Sequence, residues 1–86
     1  MLKIGQAVKY VDAVANVHDA IITNVWDGMS GSEPGCNLVF VTPDATKRDP
    51  YGRQIERQTS LVHMSGQPAH GQYWRHIDEV GKESER

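Results

Sequence analysis

Hydrophobic positions along this chain fall in short runs separated by glycine, proline and small polar residues, the spacing that strands and tight turns produce. After Gly5, the run Ala7-Val8-Lys9-Tyr10-Val11 puts Val8 and Tyr10 on one face and Lys9 on the other, which predicts a first strand. Residues 14–26 fit two periods at once. Val14, Val17, Ile21 and Val25 form a helical stripe, whereas Ile21, Ile22, Thr23 and Val25 are β-branched, with stiff χ1 angles that suit a pleated surface. The branched run favours strand over 18–26, and the helical alternative stays open for 14–20.

Residues 27–36 contain Gly28, Gly31, Pro34 and Gly35 among short polar residues and read as a loop. A compact apolar strand follows at 37–42, ended by Pro43, which lacks the N–H a central ladder needs. The stretch 42–52 is polar and broken by Pro43, Pro50 and Gly52. Residues 53–64 mix charge with Ile55, Leu61 and Val62 without clean alternation, as a bulged strand would. A turn at 67–71 leads into a short aromatic strand at 72–77, and the charged segment 78–86, with Val80 to bury, is expected to be a mobile tail. Four or five short strands and no strong helix predict an all-β fold, a small SH3-like barrel or half-open β-roll. It occupies residues 1–77 as a single domain.

Composition narrows the function. With 86 residues, 38% of them hydrophobic, the chain has material for one core. Nine basic against eleven acidic residues give a net charge of −2, which argues against a face for bulk nucleic acid. A single cysteine, Cys36, rules out an internal disulfide and fits a reducing compartment. No apolar run approaches the roughly 18 to 20 residues that span a bilayer, and the first residues lack a signal-peptide pattern, so a soluble, cytoplasmic protein is expected.

The chemistry-bearing residues concentrate between Asp49 and Trp74. Arg53 and Arg57 offer planar forks for phosphate or carboxylate. Thr59, Ser60, His63 and His70 add hydrogen bonds, and Tyr73 and Trp74 offer faces on which a base can stack. Together they are the candidate site for a small anionic, nucleotide-like ligand. Two competing readings use the same aromatics: Trp26, Tyr73 and Trp74 as core plugs, or Trp26, Tyr10 and Tyr73 as a protein-binding groove. His18, Cys36, His63, His70 and His76 include no pair at i, i+2 or i, i+4, so neither a metal site nor a cofactor is expected from spacing. Asp44, Asp49 and Glu56 lie among Lys47, Arg48, Arg53 and Arg57 and are expected to form solvated pairs. No phosphate-binding loop or nucleophile elbow is present, and the expectation is a protein without catalytic activity.

Gly5-Gln6-Ala7-Val8-Lys9-Tyr10-Val11, Ala20-Ile21-Ile22-Thr23-Asn24-Val25-Trp26, Asn37-Leu38-Val39-Phe40-Val41 and, above all, the stretch Asp49-Pro50-Tyr51-Gly52-Arg53-Gln54-Ile55-Glu56-Arg57 stand out along the chain. With Thr59-Ser60, His63 and Gln67-Pro68-Ala69-His70-Gly71-Gln72-Tyr73-Trp74, they resemble a family of short proteins encoded by tailed bacteriophages and prophages. The resemblance implies phage origin and a location in the host cytoplasm or the virion. It leads to the expectation of an accessory protein that sequesters a nucleotide-derived host immune signal. The alternatives are a virion decoration or connector protein, or a protein-binding barrel. A small domain with exposed strand edges is also expected to pair with itself, most simply as a dimer.

Overall fold

A computed structural model describes residues 1–81, which form strands and one short 3₁₀ turn, with no α-helix among them. Strands β1 (Ala7–Val11), β2 (Val17–Trp26) and β3 (Gly35–Val41) follow one another as an antiparallel meander. A two-stranded hairpin, β4 (Arg48–Asp49) with β5 (Gly52–Arg53), interrupts the sheet before β6 (Ile55–Leu61) returns along β3. After a 3₁₀ turn at Ala69–Gly71, β7 (Tyr73–Arg75) pairs with β1, giving the order β6-β3-β2-β1-β7. A last strand that returns to the first is the order of a small SH3-like barrel.

The sheet curls because its ladders slip twice. Register shifts fall between Ile22 and Asn24, where the extra residue is on β2, and between Cys36 and Leu38, where the extra residue is on the facing β6, and each extra residue bends its strand. Asn37 fills the second irregularity: its Oδ1 accepts hydrogen bonds from the Ser60 N–H at 2.9 Å and from the Trp26 indole at 2.6 Å. Ser60 itself has φ 56°, so the irregular strand expected over 53–64 is present as β6 with a left-handed residue near its end.

Curling brings the two outer strands together. The segment just after β6 runs parallel to β7 at a bridge between His63 and Trp74. There the Trp74 N–H donates to the Val62 carbonyl at 3.0 Å, and the Met64 N–H donates to the Trp74 carbonyl at 3.0 Å. Alternate residues of the strands, Val8, Tyr10, Ala20, Ile22, Cys36, Leu38, Phe40, Leu61 and Trp74, point inward and form the core, with Leu2 packed among them. Trp74 is 0% exposed, and its indole N–H is satisfied by the Pro34 carbonyl at 3.0 Å.

Residues 14–20 contain no helix. The Asp12 carboxylate accepts from the Val14 N–H at 3.0 Å and the Asn16 N–H at 2.9 Å, and Ala15 takes φ 67°. This closes a tight turn before a helix can nucleate. Of the apparent helical stripe, Val14, Val17 and Ile21 instead become exposed side chains, while Val25 packs against the core. Trp26 likewise departs from the core-plug reading, at 42% exposed. The boundary expected after Ile77 is not a break in packing, because Glu79 is hydrogen-bonded to His63 and Gly81 is buried. The rest of the expected tail, 82–86, lies outside the described residues.

Two predictions follow from this packing. Trp74→Ala should cost about 3 to 5 kcal/mol and leave the domain largely unfolded, whereas Trp26→Ala should cost roughly 1 kcal/mol, mainly its bond to Asn37. Paired thermal melts distinguish the two tryptophans. The second concerns acid. Burial pushes the Asp12 carboxyl up, but hydrogen bonds from His18, Asn16 and Val14 outweigh it and hold the group below its ordinary 3.8. Its contribution to stability is therefore complete above that value and is lost as pH falls through the lower, folded-state value. Asp12→Asn should flatten the acid limb of a denaturation profile below about pH 4.

Candidate functional site

Strand alternation that fills the core also fixes what the outer face carries. The registers align Ala7, Ile21, Val39 and Arg57 in one outward row, and Lys9, Asp19, Val41 and Ile55 in the next. Ile77 and Asp78 border the same face beyond β1. All of these side chains except Arg57 line an open concavity of about 660 Å³ in which Ile21, Val41, Ile55 and Ile77 are all exposed, Ile55 at 64%. Lys9 and Asp19 pair across the β1–β2 ladder, so the polar groups within the face largely neutralise each other. Apolar area of this kind is what burial against a partner would stabilise, at roughly 25 cal/mol per Å².

The residues expected to grip an anionic ligand do not come together in one place. Thr59, Ser60 and His70 line one cleft of about 410 Å³, where Gln58, Gln67 and Gln72 stand beside the apolar Met29, Leu61 and Val62. Ser60 and His70 both have φ 56°, an uncommon conformation for residues with a Cβ. Arg53 and Arg57 do not line this cleft. Arg53 sits on the hairpin and directs its guanidinium to the Thr42 carbonyl at 3.4 Å, while Arg57 faces outward beside Val39. Tyr73 and Trp74 are buried, so neither presents a ring face on which a base can stack. The aromatic groove does not form either, since Tyr10 and Tyr73 are both inside while Trp26 is on the surface.

The acidic residues expected to pair with this basic segment have local work. Asp49 accepts from the Tyr51 N–H at 2.8 Å and Asp44 from the Thr46 N–H at 2.9 Å, shaping turns in the hairpin arm. Glu56 accepts from the buried Thr42 hydroxyl at the base of that arm.

His63 stands apart from all of these. It lies in a cluster that no sequence spacing shows, at the seam where β7 meets the end of β6. Its side chain is 4% exposed, and its Nε2 lies 2.8 Å from a Glu79 carboxylate oxygen and 4.0 Å from Glu33. His76 Nε2 lies 2.6 Å from Glu33, and the His76 backbone N–H donates to Glu79 at 2.7 Å. Burial pushes the Glu79 carboxyl up, but the hydrogen bonds from His63 and the His76 backbone hold it below the usual range. Glu33 reaches the seam because the loop before β3 is pinned in place: the Ser32 N–H donates to Ser65 Oγ at 2.8 Å, and the Gln67 N–H to Ser30 Oγ at 2.9 Å. Close approach requires glycine here. A Cβ on Gly66 would stand 2.5 Å from the Ser30 carbonyl oxygen.

No family model, curated protein or solved structure matches this chain. Among the described residues, no helix is long and apolar enough to cross a membrane.

Cys36 offers a direct check on the chemistry of the interior. It is 0% exposed, and burial pushes its thiol up to about 12, so it remains protonated and shielded at neutral pH. A thiol reagent at pH 7.5 should leave the native protein unlabelled and modify one site per chain after denaturation, read by intact-mass spectrometry.

Proposed function

We propose that this chain is a binding barrel without catalytic activity, whose working surface is the outer face of its sheet. The observation that carries the reading is the continuous apolar face formed by Ile21, Val39, Val41, Ile55 and Ile77. Isolated exposed apolar residues are ordinary on a protein surface, but a contiguous concave set marks a docking site. The shielded Cys36 thiol argues against its use as a nucleophile.

The occupant we propose is a second copy of the chain. Arg57 lies at the β6 end of the outward row, and Asp78 borders its opposite end. A twofold axis lying in the face and parallel to the strands brings the Arg57 edge of one copy opposite the Asp78 edge of the other. The apolar centres then meet, as an isologous interface requires. The resemblance to short phage proteins accords with a self-assembling accessory or virion component.

A second reading, a small anionic ligand held in the cleft of Thr59, Ser60 and His70, is favoured by the two left-handed residues that meet there. Titration calorimetry with cyclic dinucleotides and adenosine diphosphate ribose derivatives tests it, and Ser60→Ala should reduce any binding that occurs in the cleft.

Sedimentation equilibrium tests the assembly directly. Wild-type protein at tens of micromolar should sediment as a dimer. Val41→Glu should sediment as a folded monomer, because it places a charge at the centre of the face while its own side chain lies outside the core. A monomeric wild type, or a Val41→Glu variant that stays dimeric, would overturn the proposal.

A further inference from the structure

We infer that Glu33, His76 and Glu79 form a binding site for one divalent transition-metal ion, with zinc the best match, at the seam of the barrel, where His63 holds Glu79 in place. Imidazole nitrogens and carboxylate oxygens are the donor set that zinc accepts, and three such side chains leave the fourth position of a tetrahedral shell to water. Glu33 comes from the loop before β3, and His76 and Glu79 from the chain just after β7.

The spacing suits an ion. Ligand atoms of Glu33, His76 and Glu79 all lie within 4.8 Å of one another, and His63 Nε2 is 2.8 Å from Glu79 and 4.0 Å from Glu33. Metal–ligand bonds of about 2.0 to 2.1 Å place neighbouring donors of a tetrahedron roughly 3.4 Å apart. The His76 to Glu33 separation, 2.6 Å, falls short of that figure and the others reach at most 4.8 Å, so an ion is accommodated by small side-chain shifts. Two carboxylates with one neutral imidazole carry a charge of −2, which a divalent cation neutralises.

The imidazoles are also oriented from behind. The rings of His63 and His76 pack edgewise on Trp74, at centroid distances of 4.8 and 5.0 Å. His63 Nδ1 accepts from the Ser65 backbone N–H at 3.2 Å, which leaves its Nε2–H to donate to Glu79 and orient that carboxylate. Burial differs usefully between this residue and the ligands. His63 is enclosed, whereas His76, Glu33 and Glu79 are a quarter to a third exposed, leaving a path for entry. An ion here would tie the C-terminal segment and the Glu33 loop to the seam, a form of support that small domains without disulfides often use.

The probe is zinc chloride added to chelator-stripped, full-length protein. Calorimetry should give one zinc per chain, and a melt with zinc about a hundredfold above Kd should shift Tm upward by roughly 10 °C. Cobalt substituted into the site should give the visible absorption of a tetrahedral centre. His63 is too deeply buried to be a clean variant, so His76→Ala and Glu33→Gln serve instead, each checked for fold by circular dichroism. Each should weaken zinc binding at least tenfold and remove most of the Tm shift, whereas His70→Ala, outside the cluster, should leave both unchanged. Absence of zinc binding by the wild type would overturn the inference. So would binding that His76→Ala and Glu33→Gln leave intact, or that His70→Ala abolishes.

Discussion

The structure depends on Trp74. Its backbone closes the barrel by bonding to Val62 and Met64, its indole fills the centre of the core, and its ring nitrogen fixes the Pro34 carbonyl. These contacts join the last strand, the end of β6 and the loop before β3. A curled five-stranded sheet has two open edges, and joining them at one end removes much of that exposed hydrogen-bonding capacity. Because the indole is large and wholly buried, the arrangement of its neighbours is also the arrangement of the seam.

That dependence explains where chemistry can and cannot occur. The interior holds Cys36 and Tyr10, whose ionisation burial pushes up to about 12, so the core offers neither a thiolate nor a phenolate near neutral pH. Reactive and binding capacity is displaced outward, to the apolar face of the sheet, the cleft between β6 and the 3₁₀ turn, and the His–Glu cluster behind Trp74. The three are physically distinct. The apolar face gains from excluding water. The cleft offers amides, hydroxyls and one histidine, and the cluster concentrates negative charge around two imidazoles.

Arg53 and Arg57 illustrate why a list of residue types does not make a site. By residue type both are candidates to grip an anionic ligand. The break at Gln54 puts Arg53 on the hairpin and Arg57 on β6, and β6 turns Arg57 toward the apolar face. Tyr73 and Trp74 illustrate the same limit from the other side. Aromatic residues stack on ligands when exposed and fill cores when buried, and in a barrel this small the need for core volume prevails.

The sequence by itself determined the strands of the five-stranded sheet, but not the β4–β5 hairpin, which forms in the polar stretch broken by Pro43, Pro50 and Gly52. Alternation in 7–11, β-branching in 18–26, the apolar run after residue 36 and the glycine- and proline-rich turns all act over a few residues, where propensity and periodicity are decisive. It was ambiguous at 14–20, where an Asp12 side-chain cap rather than hydrophobic spacing set the turn. Tertiary structure alone decided which face of each strand met solvent, so that Ile21, Val41 and Ile55 became a surface while Ile22, Leu38 and Leu61 became core. It alone also placed Glu33 within 2.6 Å of His76, forty-three residues away, and His63 beside Glu79. Local spacing carries no trace of such a cluster, because its members meet only after the sheet has curled and closed on Trp74.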